Sequence, residues 1–133
     1  TYEEYTVPGS NEIQSVVESM VGKVDAIYLP TDNVIAAGMS TVAMIANDNK
    51  IPTICGEAGM VEAGGLATYG IDYYQLGYLA GEQAIDILVN GADIASMPIG
   101  YLPAEKCELT VNKTAAEVLG IDISGLEGAV IVE

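Results

Sequence analysis

Apolar residues recur at intervals of three and four along several stretches of the chain, which is the pattern of helices that bury one face. The predicted helices cover about residues 11–21, 33–49, 59–63, 73–90 and 114–119. Turn chemistry at residues 8–11 predicts the first N-cap, while Gly22, Gly91 and Gly120 stand where three helices should end. The pattern therefore predicts helices separated by short non-helical segments.

Apolar or alternating runs of four to seven residues fill most of the gaps between these helices. The predicted strands cover about residues 1–7, 24–29, 51–55, 66–71 and 108–111. Strands that alternate with helices favour right-handed crossovers and a mainly parallel sheet. The fold class predicted is α/β, a three-layer sandwich whose sheet is covered by helices on both faces. A length of 133 residues fits a single domain, residues 1–133.

Polar side chains follow three of the predicted strands. Thr31, Asp32 and Asn33 follow the strand at 24–29, Glu57 follows the strand at 51–55, and Asp72 follows the strand at 66–71. In an open parallel sheet, ligands bind outside the carboxyl ends of the strands. Carboxylates held at this edge would attract a cation or a ligand ammonium group, so the sequence predicts a binding site there.

Each of these residues also has a purely structural interpretation. Asp32, Asn33 and Asp72 are good helix N-caps, each worth about 1 kcal/mol. Glu57 has no evident cap to make, which favours a ligand role over a solvated loop. Tyr73 follows Asp72 directly and, with other tyrosines nearby in sequence, is a candidate apolar wall or cation–π face.

Composition excludes several function classes. The net charge of −15 repels nucleic acids and anionic membranes, so no nucleic-acid partner is expected. The chain has no His, and Cys55 and Cys107 lack metal-ligand or redox spacing, so no metal site is predicted. Glycine-rich nucleotide motifs are absent, and no nucleophile has an activating neighbour. We expect no catalytic residues and no cofactor.

Three segments of the sequence together resemble a known family. They are VDAIYLPTDN, IPTICGEAGMVEAGGLATYGIDYYQLGYLAGEQAIDIL and LTVNKTAAEVLGI. In this order they are similar to the substrate-binding proteins of ABC importers with a type I periplasmic-binding-protein fold. The closest group includes tryptophan and tyrosine binders. The resemblance covers about residues 4–123.

The resemblance implies one lobe of a two-lobe protein, with the first lobe outside this chain. Thr31, Asp32, Asn33, Glu57, Asp72 and Tyr73 would then face an interlobe cleft, and Glu57 and Asp72 are the candidates to hold the ammonium group of an amino acid, aromatic amino acids included. The implied partner is an ABC permease, and the implied location is extracytoplasmic, periplasmic or as a cell-surface lipoprotein.

Further expectations follow from a missing first lobe. The face of the helix at 73–90 that would pack on that lobe is expected to be exposed, swapped or folded back, which favours self-association. Two alternatives stay open from the sequence: the effector-binding lobe of a transcriptional regulator, and a small enzyme that uses paired carboxylates.

Overall fold

The computed structural model describes residues 1–133, which divide into two compact units. The first unit contains residues 1–70 and 109–133, and the second contains residues 71–108.

The elements alternate between strand and helix, as the sequence predicts. The strands are β1 (Ile27–Leu29), β2 (Thr53–Cys55), β3 (Ala67–Ile71), β4 (Cys107–Asn112) and β5 (Val130–Val132). The helices are α1 (Ile13–Met20), α2 (Asn33–Ala37), α3 (Met39–Asp48), α4 (Ala58–Glu62), α5 (Tyr73–Leu88) and α6 (Lys113–Leu119).

The strands form one sheet in the order β1-β2-β3-β4-β5. β1 pairs with β2, β2 with β3, and β4 with β5, all in parallel. Tyr28 lies opposite Ile54, and Ile54 opposite Ala67. The α/β class with a mainly parallel sheet is confirmed.

The core of the first unit lies on one face of the sheet. Side chains of α1, α3 and α4 pack there against alternate strand residues such as Ile27, Leu29 and Cys55. Met39, Ala46 and Val61 are fully buried, and Ala115 and Ala116 of α6 form a second cluster with Leu66. Since successive strand residues point to opposite faces, this arrangement defines which residues face away from the core.

The opposite face of the first three strands carries exposed side chains. Tyr28, Ile54 and Tyr69 point to it, and their side chains are 70%, 43% and 63% exposed. We call these residues, one on each of three neighbouring strands, the open face.

Four local predictions were wrong. Residues 1–7 are not a strand, although Tyr5 and Val7 pack partly on the core. The predicted helix 33–49 is two helices that meet at Gly38, where an added Cβ would overlap the Cδ1 of Ile13. No side chain caps the first helix, which begins as the 3-10 turn Ser10–Glu12. Strand β5 was not predicted.

Asn112 ties three elements together inside the first unit. Its side chain is buried, donates from Nδ2 to the Val61 carbonyl at 3.0 Å, and accepts at Oδ1 from the Ala115 N–H at 2.9 Å. Its backbone N–H donates to the Leu66 carbonyl at 2.8 Å. One residue thus joins α4, the residue that precedes β3 and the start of α6.

The second unit is built around α5, none of whose residues is buried. Tyr73, Tyr78, Ile85 and Leu88 are more than half exposed, and Leu88 reaches 83%. In this structure the helix is exposed, which is one of the three arrangements expected from the sequence.

Charge is poorly balanced along the whole chain. Against 19 acidic residues there are 4 Lys. The one side-chain ion pair is Lys113 with Glu117, 4.0 Å apart on an exposed helix surface. No helix combines the length and the apolar character that a membrane crossing requires.

Candidate functional site

The carboxyl ends of β1 and β2 are in direct contact. A Cβ added to Gly56 would overlap the backbone nitrogen of Thr31 and would come within 2.7 Å of its Oγ1. The end of β3 is also near, because a Cβ on Gly70 would lie 3.7 Å from the Cα of Glu57. Three strand ends of the first unit therefore meet at one edge, as the sequence predicted.

Asp32 lies at this edge as the N-cap of α2. Its Oδ1 accepts hydrogen bonds from the N–H groups of Val34 at 2.8 Å and Ile35 at 3.0 Å. Its extended backbone is typical of an N-cap residue. The residue is exposed, so its carboxylate also faces solvent.

Glu57 is an N-cap too, which corrects the interpretation that no cap requires it. Its Oε2 accepts from the Gly59 N–H at 3.1 Å at the start of α4. Glutamate is an unusual N-cap, and the bond depends on the extended backbone at residue 57, which the sequence did not reveal. Glu57 is half-buried, between the buried Cys55 and the helix that it caps.

The two carboxylates of this edge share one property. All cap hydrogen bonds of Asp32 go to Oδ1, and that of Glu57 goes to Oε2. The second oxygen of each carboxylate accepts no hydrogen bond from the protein. Capping therefore fixes each side chain in place and leaves one oxygen for a ligand.

Thr31 and Asn33 flank Asp32, and both are exposed. Thr31 follows β1 within two residues, and Asn33 is the first residue of α2. Their hydroxyl and amide groups stand on either side of the Asp32 carboxylate in sequence and can bind polar groups of a ligand.

Asp72 and Tyr73 belong to the second unit. Asp72 caps α5 through Oδ1, which accepts from the N–H groups of Tyr74 at 2.8 Å and Gln75 at 3.2 Å. It leaves its second oxygen unbonded, as Asp32 does. Tyr73 begins the helix and is 56% exposed.

Cys55 lies beneath the edge, at the end of β2. The pKa of its thiol is raised to about 11, mainly by burial; a hydrogen bond with Thr53 acts to lower it, and the nearby Glu57 carboxylate acts to raise it. Both cysteines are free, and Cys107 is half-buried. No group of three or more His, Cys, Asp and Glu side chains is arranged to hold a metal ion.

The sequence did not single out Gly56, Gly70 or Thr68 as site residues. The two glycines allow the strand ends to approach each other, and Thr68 lies beneath Gly70 with its Oγ1 buried and without a hydrogen-bond partner. Alternation along β3 could have placed Thr68 on the inner face. The close approach at Gly56 could not be foreseen, because it involves a separate strand.

A parallel sheet with polar residues at the carboxyl ends of its strands defines an α/β ligand-binding protein. Residues 1–127 match the family model described as ABC transporter substrate binding protein. The chain belongs to this family.

Individual relatives agree with that assignment. A tyrosine-binding protein of Clostridioides difficile strain R20291 is 41% identical over 116 residues, which are 87% of this chain and 33% of that protein. This chain therefore spans about a third of the length of that curated relative.

Solved structures extend the agreement to three dimensions. An ABC domain from Streptococcus pneumonia in complex with L-Trp has a TM-score of 0.81 and 38% identity, over 100% of this chain and 45% of that one. A ligand-free, open substrate-binding protein with adhesive properties from Clostridium difficile has a TM-score of 0.75 and 40% identity, over 96% and 42% of the chains.

Proposed function

We propose that this chain is a lobe of the extracytoplasmic solute-binding component of an ABC importer, and that it binds an amino acid in a cleft between two lobes. Family membership supports the binding role, and two relatives are named for tyrosine or contain L-Trp. The proposed solute is accordingly an amino acid, with aromatic ones as the first candidates. An ABC permease is the proposed partner.

The proposal rests on two carboxylates at the strand ends, each of which accepts hydrogen bonds from the protein through only one of its oxygens. Asp32 and Glu57 are each held by a cap through one oxygen only. A ligand ammonium group donates up to three hydrogen bonds and prefers ionised acceptors. With no Lys or Arg among residues 24–49 and 51–72, nothing cationic competes for these oxygens.

We propose that Thr31 and Asn33 line the same cleft. Asp72 and Tyr73, which belong to the second unit, are proposed separately as solute-binding residues. Tyr73 would provide a flat apolar surface for an aromatic side chain. The groups that hold the solute carboxylate would come from the other lobe, which this chain does not include.

The helix α5 fits the same proposal. None of its residues is buried, and its exposed apolar side chains would pack on the first lobe in the complete protein. The 133 residues would then be the second lobe together with the segment that crosses to the first. Without that lobe, we expect weak solute binding and a tendency to self-associate.

The proposed mechanism is closure without a reaction. A solute that contacts both lobes binds the closed state more tightly than the open state and so shifts the population toward closure. The closed protein is then the form that docks on the permease. The solute must be released unchanged, because neither binding nor closure breaks a covalent bond.

Calorimetry of the complete polypeptide with L-Trp, L-Tyr and L-Phe tests the proposal. We expect heat with at least one of them and about 30-fold or more weaker binding of its N-acetyl derivative, because loss of a buried charge pair costs about 2 kcal/mol or more. Absence of heat with every amino acid would refute the proposed solute class.

Conservative variants test the residues. Glu57→Gln and Asp32→Asn keep an oxygen for the helix cap and remove the charge, so we expect weaker binding with unchanged stability. Glu62→Gln, at the other end of α4, removes the same charge away from the strand ends and is the matched control. Equal affinity of all three variants would exclude these carboxylates as the ammonium site.

A further inference from the structure

An asparagine–glycine pair, Asn90 and Gly91, lies just beyond the end of α5 in the second unit. Both residues are exposed, and Gly91 lies in the left-handed region at φ +72°. A Cβ added to Gly91 would meet no atom within 4 Å, so the space around this peptide bond is open. Water can therefore reach both the Asn90 side chain and the peptide bond that follows it.

An asparagine side chain can lose its amide group without an enzyme. The backbone nitrogen of the next residue gives up its proton and attacks the side-chain Cγ. The bond from Cγ to Nδ2 breaks, ammonia leaves, and a cyclic imide remains. Water then opens the ring at either carbonyl group and leaves aspartate or isoaspartate. The reaction therefore needs an accessible side chain, a backbone nitrogen that is free to attack, and little crowding from the next residue.

Gly91 meets the requirements that concern the attacking nitrogen. The N–H groups on either side of it are hydrogen-bonded: that of Asn90 donates to the Ile85 carbonyl at 3.3 Å, and that of Ala92 to the Asp86 carbonyl at 2.9 Å. The Gly91 N–H lies between them and donates no hydrogen bond to the protein. Glycine also has no side chain that would hinder the approach of its nitrogen to Cγ.

Asn49 at the end of α3 provides a comparison within the same molecule. It is also exposed and is also followed by a residue in the left-handed region, Lys50 at φ +59°. The Lys50 N–H, however, donates to the Asn47 carbonyl at 3.1 Å, and Lys50 carries a side chain. Attack on Asn49 must therefore break a hydrogen bond and overcome crowding, and neither obstacle exists at Gly91.

Loss of the amide would change the electrostatics at the end of α5. The Asn90 Nδ2 donates to the Asp86 Oδ1 at 2.8 Å, four residues earlier. A carboxylate at position 90 cannot donate this bond and places a like charge beside Asp86. The helix dipole also opposes negative charge at the carboxyl end, and α5 contains no Lys or Arg. We propose that Asn90 is a site of spontaneous deamidation and that the new charge loosens the last turn of α5.

This inference does not depend on the proposed function, because it involves neither the strand ends nor a solute. Peptide mapping by mass spectrometry tests the site. The complete polypeptide is incubated at neutral pH in water enriched in heavy oxygen, so that each ring opening leaves a labelled carboxylate. We expect labelled product at position 90 to form at least about tenfold faster than at position 49, because only attack on Asn49 must break a hydrogen bond. Equal rates at the two positions would overturn the proposal, and so would an Asn90 that converts only after the chain is unfolded.

The variant Lys50→Gly separates the effect of the sequence pair from that of the structure. It gives Asn49 a following glycine and keeps the N–H that donates to the Asn47 carbonyl. We expect Asn49 in this variant to convert faster than in the unsubstituted chain and more slowly than Asn90. A rate equal to that of Asn90 would show that the free N–H of Gly91 has no influence.

Hydrogen exchange tests the effect on the helix. The Ala92 amide, which is bonded to the Asp86 carbonyl, should exchange about two- to tenfold faster in Asn90→Asp than in the unsubstituted protein. Adding Asp86→Asn to Asn90→Asp should restore slow exchange, because the side-chain hydrogen bond can then form in the reverse direction without like charges. Unchanged exchange in Asn90→Asp would refute the loosening of the last turn. Fast exchange that persists in the double variant would refute charge repulsion as its cause.

Discussion

The sharpest prediction for stability concerns Asn112, because its side chain joins elements that are distant in sequence. Asn112→Ala removes the donor to the Val61 carbonyl and the acceptor for the Ala115 N–H. Asn112 is 3% exposed, so water cannot readily replace either bond. Each buried group left without a partner costs about 1–3 kcal/mol. We therefore expect a loss of about 2–5 kcal/mol.

This loss is large compared with the stability of an ordinary domain, about 5–15 kcal/mol. Urea unfolding followed by circular dichroism measures it, with an expected fall in midpoint of about 1–2.5 M for a slope near 2 kcal/mol/M. Asn33→Ala deletes the same atoms at an exposed position without a side-chain hydrogen bond and should change stability by less than about 0.5 kcal/mol. If Asn112→Ala costs no more than this control, the assigned role of the buried amide is wrong.

Three further predictions concern the strand ends. Gly56→Ala should lower the free energy of unfolding by about 1–3 kcal/mol, measured with urea, because the new Cβ must displace Thr31. An unchanged midpoint would mean that Thr31 can move aside at no cost. In Cys107→Ser, the remaining thiol of Cys55 should react with a thiol reagent only after unfolding. The pKa of the Cys55 thiol is about 11 in the folded chain and about 8.5 in the unfolded chain, so the free energy of unfolding should fall as pH rises above about 8.5. A free energy of unfolding that does not change with pH in this range in that variant would contradict the burial of Cys55. Asp32→Ala should lower the free energy of unfolding by about 0.5–2 kcal/mol, whereas Asp32→Asn should lower it much less because asparagine still caps α2. Equal losses in the two variants would show that the loss does not come from capping.

Local signals in the sequence were enough for most elements. Apolar spacing predicted four of the six helices as separate elements and merged α2 with α3, and Asp32 and Asp72 cap α2 and α5 as expected. Gly120 ends α6 in the left-handed conformation that its position suggested. Such features depend on a few adjacent residues, so a single sequence carries them.

Two of the failures depend on residues that are far apart along the chain. The helix is interrupted at Gly38, where the side chain of Ile13 packs closely against the backbone. Residues 1–7 alternate weakly but have no neighbouring strand to pair with. The site was predictable as a set of strand ends, whereas the cap made by Glu57 depends on local backbone geometry that its neighbours in sequence do not specify.

The single weak ion pair on a chain with a large excess of carboxylates has a consequence for its response to salt. Repulsion among like charges opposes compaction, and mobile ions weaken that repulsion over distances of about 10 Å at 0.1 M. Added sodium chloride should therefore raise the free energy of unfolding of this chain, whereas it would lower that of a protein stabilised mainly by ion pairs. The folded state of this chain therefore depends on the ionic strength of the solution around it.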